Sequence, residues 1–319
     1  MSSSFSSRTR PSQPAEAMEA RDWAALPRDI ILDVFLRLGA LEVMLGAELA
    51  CAAWRRAAIE EPTLWRRVGT EDTVGELWRR ARCSDIEMPM KLTAVARAAG
   101  RCEAFEGDCD DDDYLLELVK RAPSLKSLKL QNYDHDESGK VLVKVLKKLP
   151  LLEDLHIYFR YVINDGENLL GSICRACPHL KKLMLLYHSA FDFEWPGMEF
   201  KEFRDDVPII DGKIPKMHKL QSLQLEECEL TAKGLKSILD SCPRLKTLEI
   251  FGYFDKREMD KELRVKCARI KNLILPSTRK DQHLYPFGDY DSLVYDSQEE
   301  DYDSQEEDYD SQEEENSYY

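Results

Sequence analysis

The sequence predicts an α/β fold in which a three-helix N-terminal bundle precedes a curved solenoid of strand–helix units. Three observations predict this architecture. Apolar residues step at helical spacing between residues 30 and 59, the spacing LxxLxL recurs six times between residues 125 and 275, and a further helical ladder follows most of these copies. A strand–helix unit cannot bury its apolar side alone, so the copies must stack on one another.

The repeated unit is clearest in residues 220–248, which read LQSLQLEECELTAKGLKSILDSCPRLKTL. The leucines at its start predict a short strand, and the apolar residues from Leu235 to Leu239 predict a helix that packs over it. The copies begin at Leu125, Leu152, Leu180, Leu220, Leu245 and Ile270. Their steps are 27, 28, 40, 25 and 25 residues, and all but one lie within the roughly 20–29 residues of leucine-rich repeats. We assign such repeats to residues 101–280, with an insertion at 189–215.

The charge of the chain is concentrated at its C terminus. The 319 residues include 60 acidic and 45 basic side chains, and 14 of the acidic ones lie from Asp289 onward, where Lys and Arg are absent. This leaves 46 acidic against 45 basic residues upstream, and a nearly neutral folded part argues against a nucleic-acid partner. Nine scattered cysteines, no secretory leader and no apolar run of roughly 18 residues predict a protein of the cytoplasm and/or nucleus, with no membrane partner.

The N-terminal bundle is assigned to residues 21–68, after a stretch, 1–20, that we expect to be disordered. Its characteristic residues are Leu26-Pro27, the ladder Ile30, Ile31, Val34, Phe35 and Leu38, the sequence Cys51-x-x-Trp54-Arg55, and Leu64-Trp65. In this order and spacing they resemble an F-box. An F-box followed by cysteine-containing leucine-rich repeats is similar to the plant F-box/LRR proteins.

The F-box resemblance implies docking on a Skp-type adaptor and, through it, on the cullin and RING protein of a ubiquitin ligase. The residue types agree with this, because so small a bundle cannot hide all of its apolar side chains. The alternative is that these side chains only pack the bundle against the repeats. The residues expected to bind the adaptor are Leu26, Pro27, Ile30, Ile31, Phe35, Leu38, Leu45, Cys51, Trp54, Leu64 and Trp65.

Residues 69–100 predict a helical linker that joins the bundle rigidly to the first repeat. We expect two short helical pieces, because Pro89 lies between two apolar ladders and proline interrupts helices.

Enzyme and cofactor motifs do not occur in the sequence, so we expect neither catalytic residues nor a cofactor. Cys174 and Cys177 have the spacing of a zinc-binding pair but no second pair. Cys177 occupies the same repeat position as Cys242, which predicts packing in the core. Four carboxylates at 110–113 lack the alternation of a calcium loop and instead predict the start of a helix. The six histidines show no ligand spacing.

In stacked repeats, the residues between the buried strand leucines face outward on the inner side of the curve. We expect this surface to bind a protein target. Aromatic residues after the strands, among them Tyr133, Phe159, Tyr187 and Phe254, are expected either to be exposed as recognition residues or to pack within the rim. The residues expected to bind the target are Lys129, His156, Tyr158, Met184, Gln224, Glu226, Glu249 and Phe251.

Two segments interrupt or follow the repeats. The insertion at 189–215 contains five aromatic residues and is expected either to cover the inner surface or to replace a missing helix. Residues 289–319 contain the tandem heptapeptide YDSQEED, which predicts a disordered acidic tail. Ser297, Ser304 and Ser311 each have Glu three positions later, a spacing that predicts phosphorylation by acidophilic kinases.

The resemblance and the repeats together predict a substrate-recognition subunit of an SCF-type (Skp–cullin–F-box) E3 ubiquitin ligase, without catalytic residues of its own. The other hypothesis is a repeat scaffold or chaperone whose acidic tail binds basic proteins such as histones. The two hypotheses differ at residues 26–65, which a scaffold does not need.

Overall fold

The computed structural model describes residues 22–69, 84–109, 111–133, 139–159, 169–187 and 208–276. All of them belong to the first of the chain's two units, Met1–Gln282. The predictions for 1–20, for 289–319 with its three candidate phosphorylation sites, and for most of 189–215 lie outside these ranges. Within the described ranges, no helix combines the length and the apolar character that a membrane crossing requires.

Helices form the N-terminal bundle and then alternate with the strands. They are α1 (Arg28–Phe35), α2 (Ala40–Leu45), α3 (Ala52–Glu60), α4 (Ser84–Arg97), α5 (Asp112–Arg121), α6 (Lys140–Leu146), α7 (Leu169–Ala176), α8 (Ala232–Ser241) and α9 (Lys261–Cys267). Short 3-10 segments lie at Trp23–Ala25, Ala47–Leu49, Pro62–Trp65 and Lys256–Glu258. The first three of these belong to the bundle.

The strands form one parallel sheet. They are β1 (Arg67–Val68), β2 (Ala104–Asp108), β3 (Ser127–Tyr133), β4 (Asp154–Phe159), β5 (Lys182–Tyr187), β6 (Ile209–Ile210), β7 (Ser222–Leu230), β8 (Thr247–Phe254) and β9 (Asn272–Ile274). Neighbours follow chain order, except that β5 pairs with β7 while β6 pairs with the end of β7. The predicted mixed α/β fold, with helices that return the chain between parallel strands, is confirmed.

The register of the sheet aligns the repeat leucines. Phe105 of β2 pairs with Leu128, and the same row continues through Leu155, Leu183, Leu223, Leu248 and Leu273. The junction before each strand is also repetitive. The carbonyl of Lys126, for example, accepts hydrogen bonds from the N–H groups of Glu153 and Asp154 at 2.8 and 3.0 Å. Equivalent bonds precede most strands, which explains why the sheet keeps one register from repeat to repeat.

The acidic run before α5 has the predicted role at the start of a helix. The side chain of Asp111 accepts a hydrogen bond from the N–H of Asp113 at 2.8 Å, and Asp112 and Asp113 form the first turn. Thr231 and Asp260 cap α8 and α9 in the same manner. Carboxylates at this end stabilise a helix because they satisfy free N–H groups and oppose the positive end of its dipole.

The predicted break at Pro89 is wrong. Helix α4 runs continuously from Ser84 to Arg97 with Pro89 inside it. A proline there removes one backbone hydrogen bond, but Met88, Leu92 and Val95 are buried against the bundle and the first repeat. Burial of this apolar stripe offsets the lost bond, because packing contributes more to helix stability than local propensity does.

Strand β6 has no counterpart among the sequence predictions, and it lies where α8 begins. A side chain at Gly234 would place its Cβ only 1.8 Å from the carbonyl oxygen of Ile210, so glycine is required for this close approach. The hydroxyl of Thr231 donates to the same carbonyl at 3.4 Å. The end of the insertion is thereby attached to the repeat that follows it.

Candidate protein-binding surfaces

Helix α1 has one buried and one exposed apolar stripe. Ile31 and Phe35 are buried, whereas Ile30 and Val34, one position earlier at the same spacing, are exposed. A helix in a bundle this small touches its neighbours along a single stripe, so the second stripe remains in water. Further exposed apolar residues lie in the segments of the bundle that follow α1. We call the exposed set the bundle surface; its members are Ile30, Val34, Leu36, Leu38, Leu45, Leu49 and Ile59.

Two tryptophans anchor the interior of the bundle, and one of them contacts the buried stripe of α1. The ring of Phe35 meets that of Trp54 edge-on, with centroids 5.6 Å apart. Each indole N–H is satisfied by a carbonyl: Trp54 Nε1 donates to Trp23 at 2.9 Å, and Trp65 Nε1 donates to Ala58 at 3.0 Å. These contacts hold the backbone beneath the bundle surface in place.

The predicted adaptor-binding residues therefore divide between surface and core. Pro27, Ile30, Leu38 and Leu45 are exposed, and Leu26, Cys51, Trp54 and Leu64 are partly buried. Ile31, Phe35 and Trp65 have relative exposures of only 1–3%, so they support the surface from below and do not form it. The periodic ladder alone does not separate the two stripes. Four residues of the surface were not among the predicted adaptor-binding residues: Val34, Leu36, Leu49 and Ile59.

A cation joins the bundle to the linker helix. Arg97 of α4 binds Glu48 through two bonds, Nη1 to Oε2 at 2.5 Å and Nη2 to Oε1 at 3.2 Å. Its guanidinium carbon lies 4.9 Å from the centroid of the Trp65 ring. Both partners are largely buried, with side-chain exposures of 17% for Arg97 and 7% for Glu48. Arg97 thus contacts two separate segments of the bundle from the helix that leads into the repeats.

A groove of about 500 Å³ lies where the bundle meets the first strands. Apolar side chains of the bundle, including Phe35, Leu38 and Leu64, form part of its lining, and Arg66 and Lys126 also line it. Both cations contact the Glu103 carboxylate, at 2.7 and 3.2 Å. Their hydrogen bonds hold the pKa of Glu103 below its usual range. The charges at this junction are thereby largely matched within the chain.

The predicted target-binding residues share one side of the sheet. All eight alternate with buried residues along β3, β4, β5, β7 and β8, and all are partly exposed. Registered pairs bring Lys129 beside His156, His156 beside Met184, and Gln224 beside Glu249. We call this side the outer sheet face; its members used below are Glu106, Lys129, Asp154, His156, Tyr158, Met184, Leu186, Gln224, Glu226, Glu249 and Phe251. Whether it binds a target remains a prediction.

The strand-end aromatics pack within the rim, the second of the two predicted alternatives. Tyr133, Phe159, Tyr187 and Phe254 have exposures of at most 1%. Phe159 and Tyr187 stack with ring centroids 5.3 Å apart, and Tyr133 meets Phe159 edge-on at 6.2 Å. In β4 and β5 the alternation continues beyond the LxxLxL motif, so Phe159 and Tyr187 point to the core. In β3 a register shift between Leu130 and Tyr133 turns Tyr133 to the same side.

The repeat thiols are buried. Cys174, Cys177 and Cys242 are free cysteines with exposures of at most 2%. Burial raises the pKa of Cys177 and of Cys242 to about 12, and it also raises that of Cys174. The predicted core packing of Cys177 and Cys242 is confirmed. In the described parts of the chain, no group of three or more His, Cys, Asp or Glu side chains is arranged to hold a metal ion.

The bundle and the sheet together define a class: a repeat protein that carries a small helical domain at its N terminus. A family model described as F-box-like matches residues 23–71. A protein of Arabidopsis thaliana provisionally named F-box/LRR-repeat protein 23 is 32% identical over 88% of this chain, and the chain spans 59% of that protein's length.

Two further Arabidopsis thaliana proteins match over most of their own length. One, provisionally named only as an F-box protein, is 31% identical over 77% of this chain and 80% of its own length. The other, provisionally named F-box/LRR-repeat protein 22, is 28% identical over 88% of this chain and 85% of its own. The chain belongs to the F-box/leucine-rich-repeat family of plant proteins.

Proposed function

We propose that this chain is a substrate-recognition subunit of an SCF-type E3 ubiquitin ligase. The bundle holds a Skp-type adaptor, which links the chain to a cullin and a RING protein. The repeats form a curved leucine-rich-repeat solenoid, and the outer sheet face, whose side chains point away from the core, lines its concave side. This face holds a target protein for ubiquitination and degradation. The chain contributes no catalytic residue of its own; it acts by proximity, because a bound target is kept near the ubiquitin-charged enzyme.

The bundle surface is the observation that carries this proposal. It exposes a set of apolar residues on one small domain, among them Leu36 and Leu49 with exposures of 61% and 63%. Clusters of this kind are typical of protein–protein interfaces and are costly to leave in water. The alternative role, packing against the repeats, is filled by other residues: α4 buries Leu92 and Val95, and Arg97 forms the polar contact.

The contacts between the linker helix and the bundle support a fixed arrangement of the two. Arg97 binds Glu48 and lies over Trp65, so the helix that precedes the first repeat is attached to two parts of the bundle. A substrate receptor needs a fixed relation between its two partners, because transfer requires the reacting groups to meet in a narrow range of distances. The free thiols support a reducing compartment, and we place the protein in the cytoplasm and/or nucleus.

Adaptor capture tests the proposal. Purified full-length chain is mixed with a purified Skp-type adaptor, and the complex is measured by size-exclusion chromatography and calorimetry. The triple variant Ile30→Ala, Leu38→Ala and Leu49→Ala should weaken binding at least about a hundredfold, since truncating a buried Ile or Leu removes apolar burial of roughly 1 kcal/mol or more at each site. Val265→Ala is the matched control, because Val265 is an apolar side chain 75% exposed on α9, outside the bundle.

Two results would contradict the proposal. One is the failure of the wild-type chain to bind any adaptor; the other is equal binding by the triple variant and the control. Either result would favour the scaffold hypothesis, in which the bundle surface has no adaptor to bind. The same samples, incubated with histones, would then test the acidic tail directly.

A further inference from the structure

The charges on the outer sheet face are matched at one end of the sheet. Lys129 Nζ lies 3.2 Å from Glu106 Oε2, and Gln131 Nε2 donates to the other oxygen of Glu106 at 2.8 Å. His156 Nε2 lies 2.9 Å from Asp154 Oδ1. Glu106 and Asp154 therefore each have a partner within the chain.

The other end of the face differs. Glu226 of β7 and Glu249 of β8 both point outward, and neither forms an ion pair with any described residue. By register, Glu226 lies between Leu186 of β5 and Phe251 of β8. Gln224 lies directly beside Glu249, and its amide donates to Glu226 Oε1 at 2.5 Å. Two carboxylates thus lie on adjacent strands, one of them bound by the Gln224 amide and flanked in register by apolar residues.

The surroundings of Glu226 disfavour its ionised form. Burial raises the pKa of Glu226, and the neighbouring charge of Glu249 raises it further, against the hydrogen bond from Gln224. Burial also raises the pKa of Tyr158, and the negative charge of Glu226 raises it further. A half-buried carboxylate that faces a like charge is stabilised when a cation is placed between the two.

We infer that the outer sheet face at β5, β7 and β8 binds a target segment that presents an arginine side chain to Glu226 and Glu249. The planar guanidinium carries five N–H donors and can bond two carboxylates at once, which the point charge of lysine does less well. Its flat face and methylene stem fit beside Phe251 and Leu186. This inference rests on the proposed function only in that this face is the one that meets the target.

Peptide selection tests the inference without knowledge of the natural target. A phage-displayed library of random peptides is selected on the full-length chain, and enriched peptides are synthesised with a fluorophore. We expect enrichment of peptides in which arginine adjoins an apolar residue. By fluorescence anisotropy, the double variant Glu226→Gln and Glu249→Gln should bind such a peptide at least about tenfold more weakly, because charge-assisted bonds to arginine are lost.

Matched controls separate this site from general electrostatics. Glu106→Gln removes one negative charge from the same face but at its self-neutralised end, and it should leave affinity within about twofold. Replacing the peptide arginine by citrulline, which keeps shape but not charge, should match the loss seen with the double variant. Replacing it by lysine should cause an intermediate loss.

Several outcomes would overturn the inference. They are the absence of arginine among selected peptides, equal affinity of the arginine and citrulline peptides, and unchanged affinity of the double variant. Adaptor capture by the double variant is measured in parallel, since Glu226 and Glu249 lie outside the bundle. If adaptor binding is normal while arginine selectivity is absent, this inference fails and the proposed function stands. If adaptor binding fails in the wild-type chain while arginine selectivity is present, the proposed function fails and this inference stands.

Discussion

Arg97 and Glu48, 49 residues apart in the chain, form a two-point ion pair between the linker helix and the N-terminal bundle. Only 5% of Glu48 is exposed, and Trp65 covers the guanidinium on one side. Charges removed from water in this manner depend on each other, because neither can be solvated if its partner is lost. The joint between the bundle and the linker helix is therefore a place where one substitution has a large effect.

Loss of this pair should destabilise the protein strongly. We expect Arg97→Ala to lower the free energy of unfolding by about 3 kcal/mol, since it leaves a buried carboxylate unpaired. Urea denaturation monitored by tryptophan fluorescence measures this. Arg66→Ala is the control. Arg66 forms an ion pair with Glu103 at 2.7 Å, but the Arg66 side chain is 51% exposed, so loss of this pair should cost less than about 1 kcal/mol. Equal losses in the two variants would contradict the role assigned to Arg97.

A second variant separates charge from packing at the joint. In the double variant Arg97→Met and Glu48→Leu, no charge is left buried, and most of the lost stability should return. Failure to recover would mean that the contact of Arg97 with Trp65 outweighs the ion pair.

Two adjacent aromatic residues of β4 should differ in how much their loss destabilises the protein. Phe159 is buried between Tyr133 and Tyr187, so Phe159→Ala should lower the free energy of unfolding by about 3–5 kcal/mol. Tyr158 lies on the outer sheet face, so Tyr158→Ala should lower the free energy of unfolding by only about 1 kcal/mol. Urea denaturation of both variants provides the comparison. A larger loss for Tyr158 than for Phe159 would mean that the strand has the opposite register.

The thiols predict a pattern of alkylation. Of the described cysteines, Cys51 is the one that is not buried, and it should react first with iodoacetamide in the native protein at about pH 8. Cys177 and Cys242, whose pKa burial raises to about 12, should remain unmodified until urea unfolds the chain. Peptide mass spectrometry measures each site. Modification of Cys177 as fast as Cys51 in the native protein would show that the repeat opens locally.

Glu226 predicts a pH-dependent stability of a stated sign. Its raised pKa means that the folded chain keeps this proton at pH values where the unfolded chain has lost it. The stabilising contribution is complete below the unfolded pKa and is lost as the pH rises through the folded value. At about pH 7.5 the ionised carboxylate is therefore unfavourable, so Glu226→Gln should raise the Tm.

A measurement of the same variant at acidic pH is the control. At about pH 4, near the pKa of the unfolded side chain, the carboxyl is largely protonated and the difference in Tm between Glu226→Gln and the wild type should shrink. Differential scanning fluorimetry across this range measures both. A lower Tm for the variant at neutral pH, or a difference that does not change with pH, would show that burial of the charge is not costly.

Much of the fold could be predicted from the sequence because strand alternation is a local property. The spacing LxxLxL identifies Leu128, Leu155 and Leu183 as buried residues whatever lies next to them, and the same alternation identifies Lys129 and His156 as outward. The acidic run before α5 and the core position of Cys177 follow from equally local rules.

The tertiary structure decided what depends on neighbours distant in sequence. A helical ladder contains both stripes of α1, and only the position of α3 and its Trp54 determines that Phe35 is buried while Ile30 is exposed. Pro89 stays within α4 because packing on both sides outweighs one lost hydrogen bond. The pairing of Arg97 with Glu48 arises from a contact between elements distant in the chain. Periodicity reveals which side of an element is apolar; only the assembled chain determines which apolar side is covered and which charges meet.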